Sequence, residues 1–245
     1  MHGNLQLSSV WAPLAVYFAN RPFADRSIEV KSVDLWETVA PNCWEWAKTF
    51  CREVTRTPLP GEPNRYLLGY SMGGRLALHA VLHQPRLWAG AIIVAADPGL
   101  SDPDERAQCL GRDRTWGHRF LTEPWGQVLA DWDTQNIFGG HPNPCPRDLN
   151  QLSRDRICQV FDNYSKGRQD DLRLKLTQLS HPPLLYVTGA RDSKYTALGV
   201  ELTAACPNLS HRAIPQAGHR VPWESPAEFY RCIEDLLLPK HSSPR

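Results

Sequence analysis

The chain has 245 residues, with 27 basic against 26 acidic side chains and a formal net charge of +1. That length suits one domain with a sizeable core, and the near-balanced charge excludes a polyanion-binding or basic membrane-surface protein. No apolar run reaches the length of a membrane span and no charged n-region leads into an apolar stretch, which sets aside a transmembrane helix and a secretory signal.

The seven cysteines form no C-x-x-C pair. With no Cys/His ligand spacing either, they read as reduced thiols of a cytoplasmic protein and not as a metal site.

In chain order, Trp11 to Ala19 reads as a helix ended by Asn20-Arg21-Pro22. Ser27 to Val33 alternates apolar and polar residues and predicts a strand finishing in Asp34-Leu35-Trp36. Glu45 to Val54 is helical, and the Pro- and Gly-bearing run Thr57 to Asn64 is a loop. A short apolar run, Tyr66-Leu67-Leu68, enters Gly69-Tyr70-Ser71-Met72-Gly73, and a helix-forming run follows to Leu82 and stops at Gln84-Pro85. Ala91 to Ala95 is continuously apolar, as a strand buried on both faces of a parallel sheet should be. From about 101 to 180 the chain is charged, Trp-bearing and helix-like, with no β-like run, which predicts an inserted helical lid. Pro183 to Thr188 resumes as a strand, Tyr195 to Ala205 as a helix and His211 to Ile214 as a last short strand. Pro226 to Leu238 closes as an amphipathic helix, and the tail after Pro239 is expected to fray. Alternating strands and helices predict a single α/β domain over 1–245, a mostly parallel sheet with helices on both faces.

Strand, G-x-S-x-G, helix is the context of a nucleophile elbow, in which a serine projects from a tight turn at the end of a strand. A serine hydroxyl needs an imidazole to take its proton, and the imidazole needs a carboxylate to orient it. On the α/β-hydrolase fold these follow in the order Ser, acid, His. Asp192 comes directly after the strand ending at Thr188, and His219 stands in Ala217-Gly218-His219 after the last strand. Ser71, Asp192 and His219 are therefore the candidate triad, although Asp192 also suits the N-cap of the next helix. The amide of Met72 is placed to form half of an oxyanion hole, and His2-Gly3-Asn4 resembles the H-G-x loop whose Asn4 amide would form the other half. Arg75, in the first turn of the elbow helix, opposes the helix dipole. It fits either a substrate carboxylate or an ion pair between lid and core.

These residues resemble the MenH family of the α/β-hydrolase superfamily, the 2-succinyl-6-hydroxy-2,4-cyclohexadiene-1-carboxylate synthases of menaquinone and phylloquinone synthesis. The resemblance rests on Gly69-Tyr70-Ser71-Met72-Gly73-Gly74-Arg75, Asp97-Pro98-Gly99-Leu100, Trp116 with Arg119-Phe120-Leu121-Thr122-Glu123-Pro124, Ala130-Asp131-Trp132, Arg191-Asp192-Ser193-Lys194-Tyr195 and Ala217-Gly218-His219. It implies a lyase that eliminates pyruvate from a polycarboxylate substrate, with the triad acting as base and with no metal or organic cofactor. It implies no nucleic-acid or membrane partner, and it leaves the oligomeric state open. It further implies substrate contacts from Arg75, Tyr70 and the lid tryptophan Trp132.

Two features depart from the family pattern. A second family arginine falls on Cys109, with Arg106 or Arg112 nearest, and a third falls near Arg154. The family also runs a hydrophobic strand into its H-G, whereas this chain starts at Met1-His2. An N-terminal strand beside the elbow strand is then expected to be missing, and the true start is expected to lie upstream. The rival readings are a serine esterase or thioesterase on the same triad, and a non-catalytic remnant that only binds.

Overall fold

Four runs of five or six residues make the sheet of the computed structural model, which describes residues 1–21, 27–57 and 64–237. They are β1 (Tyr66–Tyr70), β2 (Gly90–Val94), β3 (Leu184–Gly189) and β4 (Leu209–Ile214). All pair in parallel in the order β1-β2-β3-β4, with Leu68 opposite Ile92, Ile93 opposite Tyr186, and Thr188 opposite Ala213. Every residue of β2 and β3 is buried, as central strands covered on both faces must be.

The helices are α1 (Ala12–Ala19), α2 (Cys43–Arg56), α3 (Met72–His83), α4 (Pro103–Thr122), α5 (Trp125–Asp133), α6 (Arg154–Asn163), α7 (Arg173–Thr177), α8 (Ser193–Ala205), α9 (Val221–Glu224) and α10 (Pro226–Leu237). α3 and α8 are crossovers between neighbouring parallel strands. Taken in one direction along the sheet and with the usual right-handed sense, they share a face. α10 packs on β2 and β4. It holds α1 beside it through Tyr17 Oη, which donates to Glu234 at 2.7 Å. Among the described residues no helix is long and apolar enough to cross a membrane, and all seven cysteines are free.

The helix starts have local causes. Asn42 accepts from the Glu45 amide at 2.9 Å to begin α2, Asp102 accepts from Glu105 at 2.8 Å to begin α4, and Ser153 caps α6. Between β2 and β3 every regular element is helical (α4 to α7 with short 3-10 turns), and α4 packs along α6. Gly117 permits that approach, since a Cβ there would come within 3.2 Å of Phe161.

Two expectations meet a different outcome or none, and one element was not expected. Ser27 to Val33 is not a strand: its half-buried Ile28, Val30 and Val33 alternate with exposed residues, but the segment joins no ladder. Alternation reports which side chains face the core; pairing needs a free strand edge in register, which this segment does not meet. The turn Val221–Glu224 is helical although it carries no periodic signal, and it is started by Pro222 in its first turn. Most of the loop Thr57 to Asn64, together with Leu238 and the tail after it, lies outside the described residues. At the outer edge of β1, the Met1 amine donates to Leu68 O at 2.7 Å and Tyr70 N donates to Met1 O at 3.2 Å.

His79 links α3 to α2. Its Nδ1–H donates to Arg75 O at 2.7 Å, its ring meets Trp44 edge-on at 4.6 Å, and its Nε2 is buried without a partner. Burial lowers its pKa from 6.5 to about 4. The unfolded chain therefore takes up this proton at a higher pH than the folded chain does. Stability from neutral His79 is whole above about pH 6.5 and is lost as pH falls towards 4, by about 3 kcal/mol in all. Urea unfolding at pH 7 and pH 4.5 checks this: His79→Leu should lose markedly less stability between the two than the native chain.

Candidate active site

β1 ends at Tyr70, and the next residue, Ser71, takes φ 52° and ψ −114° before α3 begins at Met72. A non-glycine residue holds such a conformation only when its surroundings impose it. Ser71 N donates to Val94 O at 2.8 Å, and its carbonyl accepts from Arg75 N at 3.1 Å. The turn closes because the flanking positions carry no side chain. A Cβ on Gly69 would lie 2.3 Å from Gly73 O, and one on Gly73 would lie 2.4 Å from His2 O.

Asp192 follows β3 and caps α8, its Oδ1 accepting from Tyr195 N at 3.3 Å. Its other oxygen, Oδ2, accepts from His219 Nδ1–H at 2.7 Å. The cap and the orientation of the imidazole thus come from one carboxylate, whose side chain is only 6% exposed. His219 Nε2, left as an acceptor by that tautomer, faces Ser71 Oγ at 3.3 Å. The loop carrying His219 is pinned by Glu224, which accepts from the Gly218 amide. An imidazole set between a buried carboxylate and a hydroxyl can take the hydroxyl proton as a base. The three predicted residues, 148 and 27 positions apart along the chain, are therefore within hydrogen-bonding reach of one another.

The His2-Gly3-Asn4 loop lies against this turn. His2 Nδ1–H donates to Gly3 O at 2.9 Å, its Nε2 accepts from Leu35 N at 3.0 Å, and Gly3 N donates to Gln6 Oε1 at 2.9 Å. A Cβ on Gly3 would collide with the Tyr70 ring at 2.7 Å. Leu5 turns the chain with φ 56°, and Asn4 Oδ1 before it is buried without a partner. Met72 is buried at the start of α3, directly after Ser71.

Rings surround the imidazole. Tyr195 lies 5.0 Å, Tyr70 5.5 Å and Phe138 6.1 Å from it, centroid to centroid. Phe138 touches Trp132 at 6.2 Å, and Trp132 packs among Trp116, Phe120 and Phe161. Trp132 is thus one ring removed from His219, within the apolar heart of the segment between β2 and β3.

The arginines divide. Arg75 is buried, and its Nη1 donates to Tyr164 O and, at 3.1 Å, to Gln169 Oε1, so it holds the α6–α7 connection by neutral acceptors and not by an ion pair. Arg154 donates to Phe120 O and to Glu123 O (the latter at 2.9 Å) and lies 4.2 Å over Trp125, joining α4, α5 and α6. Arg106 Nε donates to Gly167 O at 3.2 Å. Arg112 is exposed on α4. Cys109 is buried, and burial and Asp113 push its thiol pKa up while Lys166, Arg112 and Arg75 oppose this.

Two groups outside the predicted set stand close to the site. Arg220, directly after His219 and 3% exposed, lies 3.8 Å over the Phe138 ring, donates to His141 O at 3.1 Å and pairs with Asp133 Oδ1 at 2.6 Å. Asp133 also takes both arms of Arg147, at 2.7 and 2.9 Å. The second group is Lys166, whose Nζ lies 2.9 Å from Asp97 Oδ2, with Lys194 beside it. Adjacency to His219 was the one sequence signal for Arg220, and Lys194 had only its place beside Asp192; nothing local marked Lys166.

The Alpha/beta hydrolase family pattern matches residues 1–231. The 2-succinyl-6-hydroxy-2,4-cyclohexadiene-1-carboxylate synthase of Escherichia coli O1:K1 / APEC is 34% identical over 178 residues, which is 71% of this chain and 68% of that protein. MenH from S. aureus superposes with a TM-score of 0.80 at 18% identity, covering 98% of this chain and 92% of that one. A thermophilic esterase from Thermogutta terrifontis superposes with a TM-score of 0.68 at 19% identity, over 98% and 89%. At those identities the two structures speak to the fold alone. The sequence match and the family pattern decide the rest: the chain belongs to the MenH family of the α/β-hydrolase superfamily.

Proposed function

We propose that this chain is a carbon–oxygen lyase. It takes 2-succinyl-5-enolpyruvyl-6-hydroxy-3-cyclohexene-1-carboxylate to 2-succinyl-6-hydroxy-2,4-cyclohexadiene-1-carboxylate and pyruvate, the reaction whose product names its E. coli relative. The observation that carries this reading is the Asp192–His219–Ser71 chain of contacts in a member of that family. His219 draws the proton from Ser71 Oγ, and the serine oxygen removes a proton from a ring carbon. That C–H electron pair moves into the ring, the second ring double bond forms, and the C–O bond to the enolpyruvyl group breaks. Enolpyruvate leaves and is protonated on carbon to become pyruvate. The amides of Met72 and Asn4 face the negative charge that builds on the substrate, and Arg75 contributes positive charge one turn from Ser71. No water takes part, so the helical segment 101–180 acts as a lid whose rings keep water from His219.

The second reading, a serine esterase, is favoured by the same Asp192–His219–Ser71 contacts, which would equally activate a serine nucleophile. A lactate-dehydrogenase-coupled assay separates the two: pyruvate release from the enolpyruvyl substrate supports the lyase, and a trapped acyl-serine with no pyruvate supports the esterase. Under the lyase reading Ser71→Ala should lower kcat about 10³-fold or more, and Asp192→Asn about 10²-fold or more, with the fold intact by circular dichroism. Arg220→Gln removes the stack on Phe138 and the ion pair to Asp133, while Arg147 still holds that carboxylate. It should cost about 1–3 kcal/mol in urea unfolding and lower kcat/KM more than tenfold, because the lid and the His219 loop lose their shared joint.

A further inference from the structure

Asp97, at the carboxyl end of β2, is buried, yet three cations gather about it. Lys166 Nζ pairs with its Oδ2 at 2.9 Å. Arg75 reaches it through Gln169, whose Oε1 accepts from Arg75 and whose Nε2 donates to Asp97 O at 3.2 Å. Lys194 lies against Lys166, with its Nζ 5.9 Å from the centre of the Tyr195 ring that itself covers His219. The Asp97 carboxylate therefore faces two ammonium groups, Lys166 paired with it and Lys194 in its field, while Arg75 reaches only its backbone carbonyl, through Gln169.

Three placements here run against stability taken alone. Two ammonium groups are held side by side, although like charges at short range repel. Lys194 is the second residue of α8 and Arg75 the fourth of α3, so each puts a cation in a first turn, where the helix dipole favours an anion. Two groups that face the lysines, Cys109 on α4 and Tyr195 on α8, are neutral: burial raises the Cys109 thiol, and it lifts the Tyr195 hydroxyl to about 12. Lys194 itself is lowered by Lys166 and by burial. A ligand carboxylate seated between the ammonium groups would relieve both the repulsion of the lysines and the unfavourable placement of Lys194.

We infer that Lys166 and Lys194, gathered over Asp97, form a carboxylate-binding subsite that holds the end of the substrate remote from Ser71. β1 and β3 lie two strand spacings apart, about 10 Å, so a carboxylate seated beside Lys194 stands roughly that far from the serine oxygen. A succinyl arm attached to the reacting ring spans that distance, whereas a substrate with a single carboxylate at its reacting centre does not reach it. Lys166 is fixed by Asp97 and by burial, with a side chain 19% exposed, while exposed Lys194 supplies the mobile ammonium that closes on the ligand. The subsite rests on the lyase reading for its substrate but not for its chemistry, which is the recognition of a dicarboxylate arm.

The test uses succinate as the probe, with propionate as the one-carboxylate control, on the full chain and on Lys194→Gln, Lys194→Arg and Lys166→Gln. Calorimetry should show succinate binding the native chain more tightly than propionate. Lys194→Gln should weaken succinate about tenfold, and Lys194→Arg should restore it. In the pyruvate assay Lys194→Gln should raise KM far more than it lowers kcat, the mark of a group that binds the arm and does not reach the reacting atoms. Lys166→Gln leaves buried Asp97 without its partner, so its thermal unfolding is read alongside; Lys194→Gln lies at the surface and serves where that variant fails to fold. Equal succinate binding by the native chain and Lys194→Gln overturns the subsite, whatever the pyruvate assay gives. Loss of succinate binding in Lys194→Gln from a chain that releases no pyruvate keeps the subsite and defeats the lyase reading.

Discussion

Everything at the carboxyl edge of the sheet depends on the closeness with which β1 turns into α3. Ser71 occupies a backbone conformation that a free chain would leave, and it is held there by the bond of its amide to Val94 on the neighbouring strand. Gly69 and Gly73 let the turn close on itself, and the face of Gly73 is where the His2 carbonyl rests. One constraint thus fixes two things: the direction in which the hydroxyl leaves the sheet, and the distance from it of the loop bearing Asn4. A side chain at position 73 would have to displace backbone and not the flexible end of a neighbouring side chain, so the two cannot be adjusted separately.

The segment between β2 and β3 is tied to this edge by charge at two separate points. On one side Arg220 leaves the His219 loop, stacks on Phe138 and meets Asp133 at the end of α5. On the other, Arg75 leaves the elbow helix and meets Tyr164 and Gln169. Between these posts the rings of Trp116, Phe120, Trp132, Phe138 and Phe161 pack on one another, with Arg220 over Phe138 and Arg119 over Trp116 at their margins. A shift of α5 is therefore felt at His219 through a single residue, because Arg220 is its covalent neighbour. Arg75 is both a cation beside the candidate nucleophile and a strut of the roof. A substrate carboxylate that drew its guanidinium away from the Tyr164 carbonyl would loosen the α6–α7 connection in the same motion.

The juxtaposition of Ser71, Asp192 and His219 was legible because each of them carries a positional signal of its own. Ser71 lies between glycines, Asp192 comes directly after an apolar run, and His219 sits in an A-G-H loop after the last one. The sheet was legible where burial on both faces left unbroken apolar runs, as in Ala91 to Val94 and Leu184 to Val187. It was misread at Ser27 to Val33, where period-two alternation was present but a ladder partner was not. The lid arginines were the least legible part, for a physical reason. A guanidinium has five donors and accepts any nearby carbonyl, so its partner is chosen by tertiary packing. Arg154 went to the C-terminal end of α4 and Arg106 to Gly167, choices that no spacing encodes.

Cys109 is buried on α4 with these charges around it. The resemblance sets an arginine there, and its loss would leave the roof short of one positive charge. Yet the thiol is buried in the field of Lys166, Arg112 and Arg75, and Lys166 and Lys194 both face it. The positive charge over this part of the edge therefore comes from Lys166 in the α6–α7 connection and from Lys194 on α8 as well as from Arg112 on α4. An arginine at 109 would stand beside Asp113, the carboxylate that the Cys109 thiol now meets at 3.7 Å. Cys109, kept neutral by burial, adds no charge of its own to that of Lys166 and Lys194, so the cations that face it come from the elements around it.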